Sequence, residues 1–238
     1  MQCTWKLLAV CSALGLLLSL AGCGSGTEGE TETDSAAVDG GGGEAAQAPS
    51  TPGTLAQGVG AETAPPTVVI ETSMGSITIE LDREKAPMSV ENFLSYVEDG
   101  FYDGTVFHQV FPGAVILGGM YAADLTEKPA HPPVRNEAHN GLKNVRGTIA
   151  MARRDDVIDS ATCQFFINVK DNPVFDHNPE ARQDYSNLEE YGYCVFGRVS
   201  EDSMPVVDQI ANVQVHDQGD FERIPVQTVL IKSVRKIR

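Results

Sequence analysis

From Val68 onward, apolar and polar positions fall into short patterns whose period changes several times along the chain. Val68-Val69-Ile70, a turn at Ser73-Met74-Gly75, and then Ile77, Ile79 and Leu81 in alternation predict a β-hairpin, because successive strand side chains point to opposite faces. Between Pro87 and Glu98 the period lengthens. Val90, Phe93, Leu94 and Val97 recur at helical spacing and Gly100 follows as a stop, which predicts a helix. Short apolar runs then dominate, at Thr105–Phe107, Val115–Leu117, Thr148–Met151, Phe165–Val169 and Cys194–Val199. A second helix is predicted over Met204–Ala211 and a last strand over Val226–Val234, while Tyr121–Asn144, rich in Pro, Asn and His, reads as long loops. Many short strands with only two helices predict a mainly β domain, a closed antiparallel barrel spanning 67–238.

The pattern before this domain is of another kind. Residues 1–22 read as a signal peptide: Lys6 gives a positive start, and the 14 residues from Leu7 to Leu20 form an apolar run too short to span a bilayer as a helix. The run ends in Leu20-Ala21-Gly22-Cys23, which resembles the lipobox of bacterial lipoproteins. That resemblance implies cleavage before Cys23 and a lipid on its sulfur. Gly24–Pro66 carries seven acidic residues, no Lys or Arg, the run Gly40–Gly43 and almost no large apolar residue. Such a composition cannot offset the entropy of ordering, so 23–66 is expected to be an acidic, extended tether behind the lipid.

Charge and cysteine content narrow the function. A net charge of −16 argues against nucleic acid as a partner, since phosphate binding needs a basic surface. With Cys3 and Cys11 in the leader and Cys23 lipidated, Cys163 and Cys194 remain. They allow a disulfide outside the cytoplasm, but two buried, unpaired thiols are the expectation. There is no CxxC and no Cys/His cluster at zinc spacing, so no metal is expected. The acidic loop Asp155-Asp156 with Asp159 reads as a solvated turn, and His131, His139, His177 and His216 lie far apart. Lys232, Arg235, Lys236 and Arg238 read as a basic tail.

Several segments match one family in order and spacing. Val90-Glu91-Asn92-Phe93, the run from Gly100 to His108, Asn136-Glu137-Ala138, Gly141-Leu142-Lys143-Asn144, Arg146–Ala152, Ser160–Asn168 and Gly192–Gly197 together resemble the cyclophilin-type peptidyl-prolyl isomerases, the bacterial branch most closely. The resemblance implies an eight-stranded antiparallel barrel capped by two helices. It also implies catalysis of cis/trans isomerisation at X-Pro bonds without nucleophile, metal or cofactor. The implied substrates are X-Pro segments of exported proteins, met by a monomer held at a membrane through its N-terminal lipid.

The resemblance carries site residues too. Phe166 is the expected floor of the proline pocket, with Gln164, Met151 and Ala152 along the adjoining groove. His108 and the residue after it are the expected catalytic pair, with His108 mainly bracing the site. Here the chain departs from the family. Gln109 stands where an arginine is expected, Ala114 where a proline-stacking phenylalanine is expected, and Leu117 where a carbonyl-binding glutamine is expected. Slowed isomerisation is therefore the leading expectation. A non-catalytic module that holds proline-containing segments as a chaperone or scaffold is the rival.

Overall fold

The computed structural model describes residues 64–180 and 189–238; the leader, Cys23 and the tether as far as residue 63 lie outside the described residues. The predicted hairpin forms from β1 (Thr67–Thr72) and β2 (Gly75–Leu81), with Val68 opposite Ile79 and Ile70 opposite Ile77, all four without exposed surface. The helix α1 (Pro87–Glu98) buries Val90, Phe93, Leu94 and Val97, the positions that the helical spacing picks out. Its first turn has no side-chain cap of its own. The Glu137 carboxylate supplies one instead, accepting from Met88 N at 3.1 Å, Ser89 N at 2.8 Å and Ser89 Oγ at 2.7 Å. An anion there satisfies orphan N–H groups and suits the positive end of the helix dipole.

The remaining strands are β3 (Thr105–Phe111), β4 (Val115–Ala122), β5 (Thr148–Met151), β6 (Phe165–Asn168), β7 (Val195–Val199), β8 (Val215–Gln218), β9 (Phe221–Pro225) and β10 (Val229–Lys236), with helix α2 (Met204–Ala211) between β7 and β8. Eight of the ten strands close into an antiparallel barrel in the order β1-β10-β3-β4-β6-β5-β7-β2. Both helices pack their apolar faces on it, and Phe93 from α1 reaches the rings of Phe196 at 5.3 Å and Phe165 at 5.7 Å. On β4 the Gly118-Gly119 pair lets backbone and rings come close. A Cβ on Gly119, where φ is +95°, would lie 2.8 Å from the Phe165 ring.

Three features differ from the pattern read in the sequence. β3 runs beyond its apolar start at Thr105–Phe107 as far as Phe111, just before the tight turn at Pro112-Gly113, and β4 runs beyond Val115–Leu117 as far as Ala122. A separate hairpin, β8–β9, occupies a stretch without strand alternation, turning through Gly219 at φ +60°. The basic end is no tail, for Arg235 and Lys236 belong to β10 and the Arg235 guanidinium grips both oxygens of Asp103, at 2.8 and 2.6 Å.

Candidate active site

Pairing register puts one row of residues side by side on the outside of the barrel. Gln109 on β3 faces Leu117 on β4, Leu117 faces Phe166 on β6, Phe166 faces Ala150 on β5, and Ala150 faces Val195 on β7. Directly opposed residues share a face, so these side chains project away from the barrel interior. Together with Phe111, Ala114, Val115, Ala152, Phe175 and Tyr193 the apolar members form a second hydrophobic cluster, separate from the barrel core. Its floor is Phe166, fully buried, with Phe175 and Tyr193 edge-on to its ring at 5.6 Å each. Ala114 and Tyr193 keep a little exposure, 9% and 8%, and mark where the cluster meets solvent.

A buried amide network braces this cluster from below. Asn172 Nδ2 donates to Asn168 Oδ1 at 2.7 Å and to the Ala114 carbonyl at 3.1 Å. Asn168 Nδ2 donates to Thr148 Oγ1 at 2.9 Å and to Asn144 Oδ1 at 3.1 Å. Asn144 Nδ2 in turn reaches the carbonyls of Phe175 at 2.9 Å and Tyr193 at 3.3 Å. Three loops carrying wall residues are thereby tied to one hydrogen-bonded unit, the kind of fully paired network that fixes a single geometry. Asn144 and Asn168 lie in the family-like segments, but nothing in their spacing assigned them this bracing role; Asn172, Phe175 and Tyr193 carried no site reading at all.

The predicted site residues do not all meet. Phe166 and Ala152 lie in the outer cluster, and Gln109 lies in its row, 7% exposed. Met151 does not line this face; it belongs to the barrel interior, opposite Phe165. Its neighbours Ala150 and Ala152 take the outer face, as strand alternation demands. Gln164 is fully buried beneath the surface, with Nε2 2.7 Å from Met120 Sδ and Oε1 without a partner among the described residues. His108 is buried away from the cluster, its ring edge-on to Tyr121 at 4.7 Å. Burial pushes its pKa down to about 3, so it is a neutral bracing group and no general acid at physiological pH.

Other candidates resolve into structure. Asp155 accepts from Tyr193 Oη at 3.3 Å, Asp156 pairs with Arg154 at 2.6 Å, and Asp159 accepts from Asn136 N at 2.8 Å. His139 and His177 approach to 6.3 Å between ring centroids, yet among the described residues no three His, Cys, Asp or Glu gather as metal ligands. Cys163 and Cys194 are free and buried, and burial raises their thiols to about 11 and about 12. Neither is a reactive thiolate.

Two further groups, one aromatic and one cationic, stand near the cluster. Phe111 stands two residues beyond Gln109 on the same face and joins the cluster beside Ala114. Arg223, on β9, holds its guanidinium carbon 5.4 Å from the Phe111 ring centroid.

Comparison with known proteins agrees with this architecture. Residues 67–236 match the family model described as cyclophilin type peptidyl-prolyl cis-trans isomerase/CLD. Peptidyl-prolyl cis-trans isomerase A of Dickeya dadantii is 46% identical over 171 residues, covering 72% of this chain and 84% of that protein. Peptidyl-prolyl cis-trans isomerase B of Escherichia coli is 44% identical over 167 residues, covering 70% and 97%. A solved Cryptosporidium parvum cyclophilin-type isomerase shares the fold, with a TM-score of 0.57 at 22% identity over 72% of this chain and 99% of that one. The chain belongs to the cyclophilin-type peptidyl-prolyl cis-trans isomerases, and isomerisation of X-Pro peptide bonds is its activity.

Proposed function

We propose that the outer cluster floored by Phe166 seats the substrate proline, and that the clients are X-Pro segments of exported proteins reached from a membrane anchor at Cys23. The row Gln109–Leu117–Phe166–Ala150 carries the first part, because it sets one polar donor at the edge of an apolar, aromatic-floored patch on the outside of the barrel. The Leu20-Ala21-Gly22-Cys23 ending supports the second.

The chemistry asked of the site is modest in kind and large in barrier. Rotation about the peptide bond opposes about 18–20 kcal/mol of resonance and leaves a pyramidal nitrogen at the top. An apolar seat holds the ring while the acyl side turns, and an N–H donor aimed at that nitrogen stabilises the twisted state more than the planar one. No bond to the enzyme forms and no proton moves. Gln109 offers a neutral N–H where a charged one would bind roughly twice as strongly, a difference of about 1–3 kcal/mol or ten- to a hundredfold in rate. Phe111 supplies an aromatic wall beside Ala114, so the pocket is reshaped rather than opened.

Titration of the purified protein with an Ala-Pro peptide, followed by amide NMR, tests the seat. Shifts confined to Leu117, Ala114, Phe166 and Tyr193 are expected, and an unmoved cluster with shifts elsewhere rejects the assignment. A protease-coupled isomerisation assay tests the rate. Gln109→Arg is expected to raise kcat/KM, whereas no catalysis above buffer in either protein would favour a purely binding role.

A further inference from the structure

The outer cluster contains few groups that can donate a hydrogen bond to a twisting amide. Tyr193 Oη is engaged with Asp155. Arg153 lies over the Tyr193 ring at 4.9 Å, but it is buried and its guanidinium donates to the carbonyls of Gly192 at 3.1 Å and Arg154 at 2.9 Å. Gln109 is neutral. Arg223 is the contrasting case. It is exposed, and among the described residues its guanidinium makes no hydrogen bond or ion pair, only the contact with the Phe111 ring.

Its placement is held by the hairpin rather than by chance of a long side chain. Arg223 N donates to Asp217 Oδ1 at 2.9 Å, and Arg223 adopts φ +55°, a conformation that L-residues other than Asn and Asp seldom take. On either side, Phe221 packs edge-on to Tyr121 at 4.9 Å and Ile224 is buried. These contacts lock β9 beside β3. Phe111 and Gln109 lie on one strand face about 7 Å apart, so a guanidinium over the Phe111 ring is within a long side chain's reach of that face.

We propose that Arg223 is a catalytic residue of the prolyl site, its guanidinium donating an N–H to the prolyl amide while Phe111 keeps it in place. A cation on the neighbouring hairpin thus takes up the task for which strand position 109 offers a neutral amide. The inference rests on the Phe166 cluster being the proline seat. A guanidinium stacked on an aromatic face keeps its N–H edges free to donate, so the contact with Phe111 and the contact with substrate are compatible.

The test is isomerase kinetics of the purified protein with Arg223→Asn, which tolerates the left-handed backbone, and Arg223→Met, which keeps alkyl packing on Phe111. Each is expected to lower kcat/KM about ten- to a hundredfold, mostly in kcat, with an unchanged thermal midpoint. If Asn shifts the midpoint, the Met variant decides. Adding Gln109→Arg to Arg223→Asn is expected to recover most of the loss, and a double variant no faster than Arg223→Asn alone overturns the proposal. So does wild-type kcat/KM in both single variants. Ala-Pro titration separates the two readings: if Leu117 and Phe166 amides shift while Arg223 proves dispensable, only the role of Arg223 falls; if they stay unmoved, the seat falls with it.

Discussion

At the scale of single residues, the outer face of the barrel follows strand parity. Ala150, Ala152 and Phe166 point outward, whereas Met151 and Phe165 point inward and fill the core. Two adjacent strand residues such as Met151 and Ala152 cannot both line one groove, so that part of the site was decidable from the sequence by alternation alone. The placement of a cation at Arg223 was not, since it depends on which segments the closed barrel brings together. His108 shows the cost of burying a titratable ring. Its folded pKa, about 3, lies below the unfolded value near 6.5. The unfolded chain therefore binds the extra proton throughout that window, and stability present above pH 6.5 is lost as pH falls toward 3. Chemical denaturation of wild type and His108→Phe between pH 7 and 4.5 should diverge, the wild type losing about 1.4 kcal/mol more per pH unit below 6.5. Parallel slopes would mean that His108 is accessible to protons in the native state.

At the scale of elements, the legible pieces are those with one buried face. α1 and α2 occupy the predicted residues, and the β1–β2 hairpin alternates as read. β3 is buried along its whole length, by the core within and by β9 and the second cluster outside, so alternation vanishes and only its apolar beginning reads as strand. The β8–β9 hairpin was invisible for the opposite reason: Val215–Gln218 is exposed almost throughout and carries no apolar rhythm. What organises the site between elements is the Asn144–Asn168–Asn172 network, which sequence could not reveal because its members act on backbone carbonyls distant along the chain. Asn172→Ala removes the donor to the Ala114 carbonyl and to Asn168 Oδ1 at once. The Ala114 carbonyl keeps Val169 N as a donor at 2.9 Å, so the buried Asn168 Oδ1 is the acceptor left unpaired, which should cost about 1–3 kcal/mol and lower the midpoint by roughly 3–9 °C. Activity at 25 °C should fall as well, because the Ala114 and Phe175 walls lose a common brace. An unchanged melting curve would show that water replaces the amide without penalty.

At the scale of the whole molecule, the barrel sets the first strand and the proposed proline seat far apart. The chain enters at Thr67, where β1 meets the C-terminal strand: Thr67 N donates to the Arg238 carbonyl at 3.1 Å and Ile237 N to the Thr67 carbonyl at 2.8 Å. In the ring of eight strands β1 stands four places from β6, the strand that carries Phe166, in either direction. The proposed proline seat is therefore on the side of the barrel opposite Thr67. A net charge of −16 disfavours adhesion of the protein to an anionic surface, so under the proposed anchoring membrane retention should depend on a lipid at Cys23. Cys23→Ser is expected to move the protein from the membrane fraction to the released fraction of exported protein. Because the seat is remote from Thr67, kcat/KM toward a short X-Pro peptide should stay within about twofold of the wild type. Mass spectrometry of the mature N-terminus supplies the independent reading: a diacylglyceryl adduct on Cys23 in the wild type is the expected result. An unmodified Cys23, or a Cys23→Ser protein that still sediments with membranes, would remove the proposed anchor.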